Sequence, residues 1–324
     1  MINIFADSEQ PRTNEQTLNP RTLTTWSGDH CPRLRGHKTV HRYLGVAVVV
    51  LSWFSAGSLT ASTITLFTTG SPDGKIATLS QPAGAGVETE TADDFILGQA
   101  AWVTNATFIG LLPTGTSLSN VTGVDIELYH VFPGDSVDPA DGRVLTRTNS
   151  PSDNAFKSFD SGSLSFSTKI LNPSFTAANS VVNGIHEKPG QFTGGEGAVT
   201  GEEVEFDVTF LTPFFVDATD HDFFRPEVNL SDGNFLWLSA PKPIGGSGTL
   251  QFPGGPSTDL QTWIRNEDLA PDWSRVGTDI TGQGPFNASF SLSGSPVPEP
   301  SSLILLGSGL MGLADVVRRK LARA

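Results

Sequence analysis

Short apolar runs that alternate with polar residues, set between dense turn signals, constrain the middle of this chain to β-strands. Val204–Phe210 (VEFDVTF) alternates without a break, so one side chain in two faces a core and the next faces water. Comparable runs stand at Thr63–Thr68, Asp94–Leu97, Ala101–Leu112, Gly123–Phe132, Ser163–Ile170, Phe235–Ser239, Trp263–Ile264 and Ala288–Leu292, and the Val204 run continues to Val216. Pro72-Asp73-Gly74, Pro133-Gly134-Asp135, Gly194-Gly195 and Gly245-Gly246 punctuate them with turn residues. Outside two apolar segments near the ends, no window keeps a helical period for ten residues. The fold class expected is therefore all-β, an antiparallel β-sandwich or jelly-roll-like body over residues 62–294.

The C-terminal segment, residues 295–324, is of another kind. Pro298-Glu299-Pro300 is stiff and extended, because each proline fixes φ and removes a backbone donor. Ser301 or Ser302 then caps an apolar run to Val317 that is interrupted only by Asp315 and closed by Arg318, Arg319 and Lys320. Those 17 residues span roughly 25 Å as a helix, a little short of a hydrocarbon core of about 30 Å, and snorkelling of the three basic residues covers the difference. The basic end favours the cytoplasmic side, which leaves the long acidic body outside. A single C-terminal transmembrane helix is expected. Gly307, Gly309 and Gly312 suit close approach of another helix in the bilayer.

The order Val297-Pro298-Glu299-Pro300, apolar helix, Arg-Arg-Lys resembles the PEP-CTERM sorting domain of bacterial exported proteins, the substrates of membrane transpeptidases called exosortases. The resemblance implies cleavage near Pro-Glu-Pro and release or transfer to an envelope or extracellular polymer. Asp315 departs from the apolar residue usual there, and lies close to the basic cluster, where a charge costs less than at a helix centre. The segments GGEGAVTGEEVEFDVTF, FFRPEVNLSDGNFLWLSAPKPI and DLQTWIRNEDLAPDWSRVGTDI are similar to a recurring group of PEP-CTERM proteins without an assigned activity.

The front of the chain has the layout of a secretory signal. Tyr43–Gly57 (YLGVAVVVLSWFSAG) is an apolar helix candidate preceded by Arg33, Arg35, Lys38 and Arg42 and followed by small residues. Cleavage is expected after Ser58 or after Ser62, so residues 1–61 read as leader and signal helix. Residues 1–39 are too long and polar for an ordinary n-region. They read as lying upstream of a true start at Val40 or Leu34, with an unusually long leader as the alternative.

Between Ser62 and Gly294 stand 10 Lys and Arg against 28 Asp and Glu, a net charge of −18. Such a body repels nucleic acid and favours cations. The one cysteine, Cys31, falls in the leader, so no disulfide holds the body and burial must.

Asp135, Asp138 and Asp141 place three carboxylates in a turn-rich loop and suggest a structural Ca²⁺, against a simple solvated turn. Asp217, Asp220, His221 and Asp222 form a second acidic cluster and Asp93-Asp94 a third. Trp263 and Trp273, set among polar residues, are candidates for stacking on sugar rings, against core packing, whereas Trp237 reads as core. Glu202, Glu203 and Glu205 read as the wet face of a strand. No G-x-S-x-G, H-E-x-x-H or P-loop is present in the sequence, and His130, His186 and His221 are far apart in it.

The reading is an exported, non-enzymatic envelope or extracellular-matrix protein, first anchored in the inner membrane and then sorted. Its partners are an exosortase-type transpeptidase, signal peptidase and the export machinery, and a polysaccharide. A carbohydrate-binding module with structural calcium is the main rival, and a glycan hydrolase the third. A chain begun at Val40, recoded as Met, is expected to be exported as well as the full chain. Export assays that find residues 1–39 necessary would establish a functional long leader.

Overall fold

The computed structural model describes residues 63–83, 88–137, 141–185, 192–218, 220–241, 261–297 and 300–323. The expected signal helix lies outside these residues, as do Asp138, Pro298 and Glu299. The described elements are β1 (Ile64–Thr68), β2 (Ile76–Leu79), β3 (Thr89–Ile96), β4 (Ala101–Pro113), β5 (Val121–His130), β6 (Lys157–Phe159), β7 (Leu164–Ala177), β8 (Asn179–Val181), β9 (Val199–Val216), β10 (His221–Leu230), β11 (Leu236–Ala240), β12 (Trp263–Asn266), β13 (Ser274–Arg275), β14 (Asn287–Ala288), β15 (Phe290–Pro296) and one long helix, α1 (Pro300–Leu321).

The strands make two sheets. One has nine strands along the path β1-β15-β4-β11-β2-β8, with β9 on the other edge of β4, β7 outside β9, and β14 beside β11. The other has six, in the order β13-β12-β3-β10-β5-β6. Pairing is antiparallel throughout except between β2 and β8, which run parallel, a departure from the all-antiparallel expectation.

The alternation read in VEFDVTF is the alternation seen: Val204, Phe206, Val208 and Phe210 are buried, and Asp207 and Thr209 are exposed. The buried faces of both sheets meet in one aromatic core. Phe224 of β10 stacks on Phe290 of β15 at 5.1 Å, and Phe108 of β4 on Phe206 of β9 at 4.8 Å. Phe235 meets both Phe108 and Phe206 edge-on, and Phe159 of β6 lies 4.5 Å from Phe210. Gly110 in β4 makes this possible, because a Cβ there would collide with the Phe235 ring. Each such ring pair contributes about 0.5–1.5 kcal/mol beyond its buried area.

Strand β10 (HDFFRPEVNL) is not among the runs recognisable from alternation, yet it is the centre of the six-stranded sheet and nearly all buried. Its ladder with β3 runs from His221↔Ile96 to Phe224↔Asp93 and stops two residues short of Pro226, which has no N–H to give. Beyond that point β3 pairs on its other edge with β12, Trp263 to Asn266.

Helix α1 covers 22 residues, about 33 Å at helical rise. Among the described residues no helix is long and apolar enough to cross a membrane, so the sequence expectation of a plain transmembrane span is qualified. The reason lies in composition: three glycines and Ser308 dilute the run, and Asp315, Arg318, Arg319 and Lys320 fall inside the helix. Asp315 is paired with Arg319 at 2.7 Å, one turn on. Leu305, Leu306, Leu310, Met311, Leu313, Val316 and Val317 are all exposed, so α1 from Leu305 onward adds nothing to the core.

Because Phe224 joins the sheets, Phe224→Ala is expected to cost about 3–5 kcal/mol, read as a fall in the midpoint of chemical unfolding. A loss under 1 kcal/mol would show that the core is not continuous across the sheets.

Candidate functional site

The outer face of the six-stranded sheet carries the densest polar cluster of the described residues. In GVDIELYH the even-numbered apolar residues Val124, Ile126 and Leu128 face the core, which turns Asp125, Glu127 and Tyr129 outward. In β10, Phe224 and Val228 face the core and Arg225 and Glu227 face out. Glu90 of β3 and Arg265 of β12 join them where β3 has left β10.

Arg225 is the centre of the cluster. Its buried guanidinium reaches Glu227 at 2.5 Å, Glu90 at 2.7 Å, Glu127 at 3.1 Å and Glu88 at 3.4 Å. Arg265 holds the other side of Glu90 through Nε, donates to the Tyr129 hydroxyl at 3.2 Å, and lies 4.3 Å above the Trp273 ring. The Tyr129 hydroxyl donates to Glu127 at 2.5 Å and lies 3.2 Å from Glu90. Glu88, Glu90, Glu127, Arg225 and Glu227 border a cleft of about 540 Å³, and a second of about 470 Å³, lined in part by Arg265, shares Glu88 and Glu90 with it.

Burial drives the titration of this cluster, and the guanidinium groups decide its sign at each carboxyl. Glu227 is pushed up to about 8 by burial, with Arg225 opposing and Glu90, Glu88 and Glu127 adding to the rise. Burial acts upward on Glu90 as well, but Arg225 and Arg265 together bring it below the ordinary value. Burial and Glu90 raise Tyr129 well above the normal phenol range. At neutral pH, then, a protonated carboxyl and an ionised one sit on the same arginine. That is the chemistry of an acid and base pair in a cleft, but both carboxyls are tied to Arg225 in the ground state.

The residues singled out in the sequence lie elsewhere. Trp263 and Trp273 are fully buried and pack with Ala92, Tyr129 and Phe223, so they present no face to a sugar. Trp273 Nε1 donates to the Ser152 carbonyl at 3.3 Å and its ring is covered by Arg265. Their polar sequence neighbours, which suggested exposure, are themselves buried: Thr262 donates to Asp93, Arg265 holds Glu90, and Asp272 lies against Arg147. Asp135 lies 2.8 Å from His130 Nδ1 and Asp141 accepts from Arg143 Nε at 2.6 Å. Among the described residues no group of three or more His, Cys, Asp or Glu could hold a metal ion. Asp93 accepts from Thr262 and from the Ala288 amide, and burial beside Asp94 raises it well above the carboxylate range. Asp94 pairs with His221 at 2.9 Å. Asp222 is buried and pushed up to about 6 by that burial, with His130 opposing.

At the C-terminal end, the Val297 amide donates to the Ala100 carbonyl at 2.8 Å, so the sheet grips the chain up to the residue before Pro298. The description "PEP-CTERM protein-sorting motif" matches residues 296–320. The chain carries a PEP-CTERM sorting motif. The motif marks an exported protein and implies processing by an exosortase, a membrane enzyme. Of the sorting residues expected from sequence, Pro300, Arg318, Arg319 and Lys320 lie in α1, and Pro298 and Glu299 precede it. No curated protein and no solved structure matches the chain.

Glu227 gives the cluster a pH signature. Its folded value stands above its unfolded one of 4.5, so its stabilisation is complete below that value and is lost as pH rises through about 8. The melting temperature of the wild type is expected to fall over this window relative to that of Glu227→Gln. Parallel pH profiles of the two proteins would contradict the assignment.

Proposed function

We propose that this protein is an exosortase substrate of the bacterial envelope. It is exported, held in the inner membrane by α1, cut at Pro298-Glu299-Pro300, and passed to the envelope or an extracellular polymer. The body serves there as a non-enzymatic structural or binding element. The observation that carries this reading is the sorting motif on a helix whose apolar side chains from Leu305 to Val317 are exposed and take no part in the β core. Such a helix has a burden of unburied apolar surface, which a bilayer relieves. The Asp315–Arg319 pair lessens the cost of the carboxylate near the headgroups.

The segment to be cut fits the demands of a peptidase. β15 ends at Pro296 and the last sheet hydrogen bond is made by Val297, so the scissile region begins where the ladder stops. Prolines on either side of Glu299 hinder its capture by a helix or a neighbouring strand.

A glycan-hydrolase reading draws on the raised Glu227 beside the lowered Glu90 in one cleft. Against it, Arg225 engages both carboxyls, and a structural ion-pair network accounts for the same shifts. The carbohydrate-binding alternative loses its two stacking candidates, Trp263 and Trp273, to the interior.

Glu299→Ala is expected to leave export intact and to leave the full-length C-terminus in the membrane fraction, as judged by immunoblot with a C-terminal epitope. Maturation of the variant at the wild-type rate would refute the sorting assignment.

A further inference from the structure

The solvent face of the nine-stranded sheet carries an aromatic pair at the end from which the tail departs. Trp102 of β4 and Phe215 of β9 face each other across the ladder with ring centroids 5.4 Å apart, 48% and 42% exposed. Beside them the β4–β9 register slips between Val103 and Asn105, where Phe214 and Thr209 are the successive partners. The extra residues on β9 form a bulge, and Leu211 within it is 62% exposed.

Trp102 pairs with Ser295 of β15, and Ser295 stands only five residues before Pro300 of α1. Five extended residues reach at most about 18 Å. An anchor inserted through α1 therefore keeps this end of the sandwich at the membrane surface. We propose, on the reading of α1 as a bilayer anchor, that Trp102 and Phe215 dock on the headgroup layer of that membrane and hold the body against it until the tail is cut. Indole is the side chain best suited to that layer, with an apolar body and a polar N–H. Asp217 and Asp220, exposed just beyond the end of β9, suit headgroups that bear an ammonium group over purely anionic ones. The two rings are tilted by 57° and so offer no common plane to a sugar chain.

The test uses the full chain and its Trp102→Phe variant, reconstituted in phosphatidylcholine–phosphatidylethanolamine vesicles with and without a headgroup nitroxide. Trp102 is the one exposed tryptophan among the described residues, so the wild-type minus variant emission isolates it. Flotation with the vesicles and loss of that difference signal to the nitroxide are the expected results, with a smaller loss when phosphatidylglycerol replaces both lipids. Flotation without quenching overturns the docking and leaves the anchor standing. Failure to float overturns the anchor reading and the docking with it. Protection of the difference signal from iodide by a soluble glucan, without vesicles, would mark a glycan surface instead and overturn the proposal.

Discussion

Everything in this body depends on aromatic rings packed between two sheets, because nothing covalent is available to replace them. The only cysteine is Cys31, outside residues 62–294, and a net charge of −18 over those residues works against compaction. Phe224 and Phe290, one from each sheet, stack at 5.1 Å, and Trp237 lies edge-on to both. The Trp237 indole donates to the Ser289 carbonyl at 2.9 Å, so this ring is buried with its one polar atom satisfied. With that contact in place, the strands of the six-stranded sheet have a fixed surface against which to align their polar outer face.

The polar face follows from this alignment. Once Phe224 and Val228 point inward, Arg225 and Glu227 must point outward, and cross-strand Glu127 stands directly opposite Arg225. The early end of the β3–β10 ladder then admits Glu88 and Glu90 to the same guanidinium. One buried cation thus gathers four carboxylates, and the excess negative charge is relieved by a proton on Glu227. A buried ionic group can fix register without adding stability. In a sheet whose central strand contains a proline, a device that fixes register has an evident use. The same sandwich holds the chain as far as Val297, within the stretch that matches the sorting motif.

The parts of the fold legible in the sequence are those where one sheet face is wet. β9 and β5 show their period of two because water meets every second residue. β10 could not be read that way: both of its faces are buried, and Arg225 and Glu227 are covered by other charged groups rather than by solvent. Trp263 and Trp273 misled for a related reason, since polar neighbours in sequence proved to be buried partners in space. The alternation Asp125, Glu127, Tyr129 was a usable signal for the cleft, but its meaning needed Arg225 from a strand about a hundred residues away. The sorting motif was legible in full because it is local, a run of adjacent residues read by a membrane and an enzyme, independent of any tertiary contact.

The central claim is that the C-terminal segment is an address that is removed once it has been read. Intact-mass analysis of the protein isolated from its native envelope tests this most directly, since it fixes both ends of the mature chain and any polymer attached to it. The account predicts a chain that ends near Pro298-Glu299-Pro300 and lacks α1. A mature protein whose mass extends through Ala324 would contradict it.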